Sequence, residues 1–256
     1  MDSSKEGFYI GYLPKAPAAL GAWLRTRVLA LLLLMLGVAV ALVLSMSGFS
    51  AANFEFGDLR TFEGSVSVDP YPVLHLQRFG QPVGSNLDSY SSYLLVCEGK
   101  FGATEVLLPF AGKSVRLKGT LIHRDGQTMI ELLPDSLELG ESPTGGPRQV
   151  KDFGMHTLRG EIVDSKCFLG VMKPGNLKPH KACAIRCISG GIPPVLMVRD
   201  QDELASYYLL VSEEGKAVNA DVLEFVAQPV SIKGRVERRG ELRFLYADPA
   251  QIQLLR

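Results

Sequence analysis

Apolar and polar positions change rhythm once along the chain, and the change divides it in two. Val28 to Met46 reads VLALLLLMLGVAVALVLSM, an apolar run without a single charge. At ~1.5 Å per residue a helix of that length spans roughly 28 Å, close to a bilayer core. A backbone in lipid must satisfy its own hydrogen bonds, so the run predicts a transmembrane helix over 28–46 behind a short segment, 1–27. From about Arg60 the period falls to near two. GSVSV (64–68), SYLLV (92–96), SVRLKGTLIH (114–123) and TMIEL (128–132) are short β-branched and aromatic runs broken by Gly, Pro and Asp. That rhythm predicts antiparallel strands. Asp125-Gly126 supplies the positive-φ pair of a tight hairpin turn.

The β region repeats itself. Tyr93-Leu94-Leu95-Val96 recurs as Tyr208-Leu209-Leu210-Val211, and Val115-Arg116-Leu117-Lys118-Gly119 as Val230-Ser231-Ile232-Lys233-Gly234, both shifted by 115 residues. Gly99-Lys100 matches Gly215-Lys216, and the turn Arg124-Asp125-Gly126 aligns with Arg238-Arg239-Gly240 after a one-residue slip. Two copies of one unit are expected, over 59–140 and 156–256, joined by a Pro/Gly-rich linker, 141–155. The starts align differently. Phe62-Glu63-Gly64 matches Leu158-Arg159-Gly160, shifted by 96, whereas Tyr71-Pro72-Val73-Leu74 matches Pro193-Pro194-Val195-Leu196, shifted by 122. The second copy therefore carries 26 extra residues between its first two strands. The first copy closes without them, so the insertion, 165–191, serves something other than folding the unit.

Each unit of short strands, ending in a V-x-[LI]-K-G strand, a tight turn and a last strand, resembles the OB-fold, a small five-stranded barrel. The expected fold is mainly β: one N-terminal membrane helix and two tandem OB-like barrels, the second with a Cys/His insertion containing a short helix. One membrane helix followed by an exported OB-like barrel is also similar in architecture to the haem chaperones of cytochrome c maturation. Their haem-attaching His motif matches no His of this chain, so the resemblance implies architecture and not activity.

Arg25 and Arg27 directly precede the apolar run, with Lys15 and Lys5 further back. The positive-inside bias puts the N-terminus in the cytoplasm and the bulk of the chain outside, as a single-pass protein of the cytoplasmic (inner) membrane facing the periplasm. Tyr9, Tyr12 and Trp23 suit the headgroup level. Cleavage after a signal peptide, near Ser50-Ala51-Ala52, is the competing reading, and it exports the same region. Positive and negative side chains balance at 27 each, which argues against a broad nucleic-acid surface.

The insertion concentrates the chemistry. Cys167, His180, Cys183 and Cys187 follow the pattern C-x12-H-x2-C-x3-C. Thiolates and imidazole are soft to borderline metal ligands, which makes these four the expected metal ligands. The donor set suits a metal ion such as zinc, an iron–sulfur cluster or a copper centre, with Met172 nearby. Pro179 starts and Gly190-Gly191 ends a short helix that puts His180, Cys183 and Cys187 on one face. His180 and Cys187 are then about 10 Å apart along the axis, too far for one mononuclear site on a straight helix. Cys167 arrives from the strand before, and Asp164 beside it orients a ligand or caps a turn. Lys166, Lys173, Lys178, Lys181 and Arg186 make the insertion basic, which favours thiolates, an anionic cofactor or an acidic partner. An exported compartment also favours disulfides, with Cys167 bridging Cys183 or Cys187, and leaves Cys97 as a free core or edge thiol.

No Ser-His-Asp order, phosphate-binding glycine loop or paired carboxylate setting is found, and His75, His123 and His156 stand alone. The sequence reads as a membrane-anchored extracytoplasmic protein that binds a metal or redox cofactor through its insertion. It serves as an accessory or electron-transfer component among other membrane or exported proteins rather than as a free-standing enzyme. A disulfide-stapled interaction module and a thiol-redox or metal-delivery protein are the alternatives.

Overall fold

The computed structural model describes residues 18–47, 52–78, 90–146, 150–199 and 205–255. Residues 1–50 and 51–256 form two separate compact units. In the first, α1 (Ala18–Ser47) is one continuous helix. It begins ten residues before the apolar run, because Ala18 to Arg27 holds good helix formers and no proline. Its stretch Leu20–Ser45 is long and apolar enough to cross a membrane. Trp23 is exposed, with the Arg27 guanidinium 5.4 Å from its ring centroid. Tyr9 and Tyr12 lie outside the described residues.

The second unit holds the two barrels. The first is built from β1 (Ala52–Phe54), β2 (Arg60–Ser67), β3 (Val73–Gln77), β4 (Tyr90–Val96), α2 (Thr104–Leu107), β5 (Ser114–Arg124), β6 (Gln127–Leu132) and β7 (Glu138–Leu139). Its closed ring runs β5-β2-β3-β4-β6 and back to β5, antiparallel except where β4 meets β6. The second uses β8 (Val150–Asp164), β9 (Pro194–Arg199), β10 (Ala205–Val211), β11 (Pro229–Arg239), β12 (Leu242–Tyr246) and β13 (Gln253–Leu254), with α3 (Leu177–Ser189) inserted after β8. Its ring, β11-β8-β9-β10-β12, has the same order and the same single parallel pair, β10 with β12. Both are closed five-stranded barrels, the OB-like arrangement expected.

The repeat holds to the residue in three strand pairs. A shift of 115 residues carries Tyr90–Val96 onto Ala205–Val211, Ser114–Arg124 onto Pro229–Arg239, and Glu138–Leu139 onto Gln253–Leu254. The hairpin turn obeys the same shift, so the one-residue slip expected there is corrected. Gly240, at φ 58°, takes the place of Asp125, at φ 50°. The first strands keep the shift of 96, since Phe62 pairs with Leu117 and Leu158 with Ile232. The extra residues enter after Asp164, as a helical turn closed by the Met172 N–H on the Cys167 carbonyl (3.0 Å), and then as α3. That five-residue-wide turn left no signal in the sequence pattern.

Period two explains how the barrels meet. On β4, Leu95 faces the core of the first barrel, while Leu94 and Val96 face out. On β10, Leu210 turns into the second barrel, while Leu209 and Val211 face out. The outward set joins Val73, Ile122, Met129, Val195, Met197, Phe244 and Tyr246 in a third apolar core between the barrels. YLLV is thus buried on both faces, and neither barrel could leave that face in water without exposing a large apolar patch. Tyr71 donates from the first barrel to the Leu210 carbonyl (2.6 Å), and Tyr207 returns to Asp125 (2.7 Å).

The insertion is wedged into this seam. Cys167, Phe168, Leu169, Cys187 and Ile192 belong to the inter-barrel core. Phe168 lies under the Arg124 guanidinium, 4.3 Å from its ring centroid. Lys166, 2 % exposed, crosses into the first barrel. Its ammonium donates to the carbonyls of Cys97 (2.8 Å) and Gly99 (2.7 Å) and pairs with Glu131. Three donors meet three acceptors, which is what a buried ammonium requires. The carboxyl end of α3 is held from both sides, since Gly102 N–H donates to the Gly190 carbonyl (2.8 Å) and Asn219 donates to those of Ile188 and Ile192 (2.9 Å each). A Cβ at Gly190 would strike the Lys100 carbonyl, so this contact needs glycine.

Lys166→Met leaves the Glu131 carboxylate without its partner. The expected cost is about 3–5 kcal/mol, read by denaturant unfolding, with partial recovery in Lys166→Met/Glu131→Leu. Equal stability of wild type and the single variant would contradict this account of the seam. A second outcome concerns pH. Burial lowers the His75 pKa, its ring lying between the Ser67 and Ser92 hydroxyls (3.0 Å each). The folded chain therefore binds that proton less well than the unfolded chain, whose pKa is ~6.5. Stability is full above that value and falls as the pH drops through it toward the folded pKa. His75→Gln is expected to show a shallower loss of melting temperature between pH 7 and pH 5 than wild type.

Candidate metal centre

The site starts from the end of β8. Asp164, the last residue of the strand, is fully buried. One carboxylate oxygen accepts the Cys167 backbone N–H (2.7 Å), and the other bonds His180 Nε2 (2.8 Å). The first contact turns the chain and sets the Cys167 sulfur. The second fixes a ring on α3, sixteen residues on, in the manner of the carboxylates that orient metal-binding histidines. The sequence reading allowed Asp164 either of these roles; it performs both.

α3 begins at Leu177, three residues before His180, so Pro179 lies in its first turn as expected. His180 and Cys187 are buried and Cys183 is partly exposed. The Cys167 and Cys187 sulfurs are 3.8 Å apart. That exceeds the ~2.05 Å of a disulfide bond, and all four cysteines are free thiols. It equals the edge of a tetrahedron whose metal–sulfur bonds are ~2.3 Å. The structure thus brings Cys167, His180, Cys183 and Cys187 into one cluster that could hold a metal ion, and adds Asp164. Their ligand atoms fall within 4.8 Å of one another in two groups: Cys167 with His180 and Cys183, and Asp164 with Cys167 and Cys187. Cys97 stays outside, buried on the far side of the Lys166 bridge.

A residue that sequence reasoning missed completes the site. Lys100, from the loop after β4 of the first barrel, donates to the Cys183 sulfur (2.7 Å) and lies 3.7 Å from that of Cys187. The same loop supplies the carbonyls that hold Lys166. Its repeat partner, the Ser212–Ala217 loop, has the same closing hydrogen bond, Ser212 N–H to the Lys216 carbonyl (2.9 Å, against 3.0 Å for Cys97 and Phe101). The sequence matched Lys100 with Lys216, but the closing bonds and the shift of 115 make Lys216 equivalent to Phe101 and Gly215 equivalent to Lys100, so that match is corrected by one residue.

Charge and burial divide the thiols. The Cys167 thiol donates to Cys187, and this bond with burial raises its own pKa. Cys187 is lowered to about 7, first by that hydrogen bond and then by the Lys100 ammonium. The contact with Cys183 raises the Lys100 pKa, which keeps its positive charge at the sulfurs. Burial raises Cys97, an inert core thiol.

Compared with family models, curated proteins and solved structures, the chain finds no match in any of the three.

Alkylation of the native, metal-free chain checks the burial pattern. Iodoacetamide is expected to modify Cys183 first and Cys97, Cys167 and Cys187 only on unfolding, as read by peptide mass spectrometry. Early modification of Cys167 would contradict the placement of the insertion.

Proposed function

We propose that the protein is a membrane-anchored, extracytoplasmic metal-binding component of a larger membrane assembly, with Cys167, His180, Cys183 and Cys187 as the ligands. The observation that carries this reading is Asp164: a buried carboxylate fixes a histidine and a cysteine behind two further sulfurs. A structural staple needs no such histidine. With Nε2 engaged by Asp164, metal binding falls to His180 Nδ1. Sulfur and imidazole donors with a sulfur–sulfur edge of 3.8 Å suit zinc, and also copper, which would add electron transfer. The basic residues Arg25 and Arg27 before α1 support an N-terminus in the cytoplasm and barrels on the outer side. Between Ser165 and Arg199 the chain carries Lys166, Lys173, Lys178, Lys181, Arg186 and Arg199 and no acidic residue. Lys173, Lys178 and Arg186 are exposed, which supports an acidic partner surface at this face.

One observation favours a second reading. A thiolate-prone Cys187 lies 3.8 Å from the Cys167 sulfur, the arrangement of a dithiol that passes two electrons to an acceptor and closes to a disulfide. Metal and disulfide exclude each other at the same sulfurs, so one preparation decides between them.

The full chain, purified in detergent from the exported compartment, is expected to carry stoichiometric metal by elemental analysis. Cys183→Ser is expected to lose it, and Asp164→Asn to weaken it by about 10–100-fold. Visible absorption would indicate copper or iron rather than zinc. A chain without metal, whose Cys167 and Cys187 are oxidised together, would replace the metal reading with the dithiol one.

A further inference from the structure

The four ligands do not gather round a single point. Seven residues of straight helix separate His180 from Cys187, about 10 Å of rise. Donor atoms that share one ion lie within ~4.6 Å of each other when bonds are ~2.0–2.3 Å. The cluster resolves instead into the two groups described above, and Cys167 is the member they share. We infer that the cluster is a two-metal centre, in which the Cys167 thiolate bridges one ion held by His180 and Cys183 and a second held by Asp164 and Cys187. This inference rests on the metal-binding reading of the same site.

Placement, charge and donor capacity support it. Cys167 sits at the turn between β8 and α3, so its sulfur reaches toward both ends of the helical face. Two divalent ions bring four positive charges. Three thiolates and one carboxylate bring four negative ones, with His180 neutral, which leaves the Lys100 ammonium to meet an anionic external ligand. Asp164 is fully buried, Cys187 likewise, and Cys167 is 3 % exposed, so an uncompensated charge there would be costly. Asp164 can serve twice. Each carboxylate oxygen has two lone pairs, and the bonds to His180 and to the Cys167 N–H use one on each.

The arrangement also leaves one ion open to an external ligand. The first ion has three protein ligands, one of them the partly exposed Cys183, which leaves a fourth position for water or an external ligand. A closed structural site has no such position. Cys183, the partly exposed ligand, and Lys100 beside it mark the side from which an anionic ligand would enter.

The test is a cobalt titration of the full chain in detergent, reduced, metal-free and anaerobic. Sulfur-to-cobalt charge-transfer absorbance and low-temperature electron paramagnetic resonance are read at each addition. Two equivalents of Co(II) are expected, and the second lowers the resonance intensity per cobalt, because a bridging thiolate couples the two spins. Cys187→Ala is expected to stop at one equivalent. Wild type saturating at one equivalent would overturn the two-metal centre while leaving metal binding intact. Two equivalents with simply additive resonance signals would overturn the shared thiolate. Absence of cobalt binding would overturn both this inference and the metal reading beneath it. If Cys187→Ala does not fold, the wild-type stoichiometry and coupling still decide the matter.

Discussion

A buried ammonium must find an acceptor for each of its protons, and the rest of the site depends on how Lys166 meets that demand. It belongs to the insertion of the second barrel, but its acceptors are two carbonyls and a carboxylate of the first. Once they are engaged, the insertion cannot swing away from the first barrel without stranding a charge. The same 97–102 loop presents Lys100 to Cys183 and Gly102 to the end of α3. One short loop thus locks the insertion in place and brings a positive charge to its sulfurs.

Duplication explains why the centre lies between two barrels rather than on one. Strands equivalent to β4 and β10 are apolar on both faces, so each barrel has an interior and an outward patch to cover. The two patches cover each other, and the insertion fills the remaining seam with Phe168 and Leu169. The Cys/His cluster inherits that shelter. Cys167 and Cys187 are buried because they are part of the inter-barrel core, and their chemistry is tuned by that burial, by each other and by Lys100. Only Cys183 remains in reach of solvent, on a face where the insertion carries cations and no anions.

Much of this was legible in the sequence, because repeats and periodicity are local signals. The shift of 115 residues located equivalent strands to the residue, and the change from 96 to 122 isolated the insertion. Cysteine and histidine spacing named four members of the cluster. What escaped depends on distance in sequence rather than spacing. Lys100 precedes Cys183 by 83 residues, and nothing in its own loop announces the contact until the two barrels are packed together. The wide turn at Cys167 follows from the Asp164 carboxylate capturing its N–H, a bond that no hydrophobic pattern encodes. The slip expected at the second hairpin arose because arginines occur in a run there, and strand register rather than residue identity fixes the turn.

The proposed centre consists of sulfur and nitrogen from the insertion meeting a metal. X-ray absorption at the edge of the bound metal, on the full chain in detergent, measures those bonds directly. A shell of sulfur at ~2.3 Å together with nitrogen or oxygen at ~2.0–2.1 Å is the predicted result. A shell of nitrogen and oxygen alone would place the metal elsewhere and contradict the assignment of Cys167, Cys183 and Cys187.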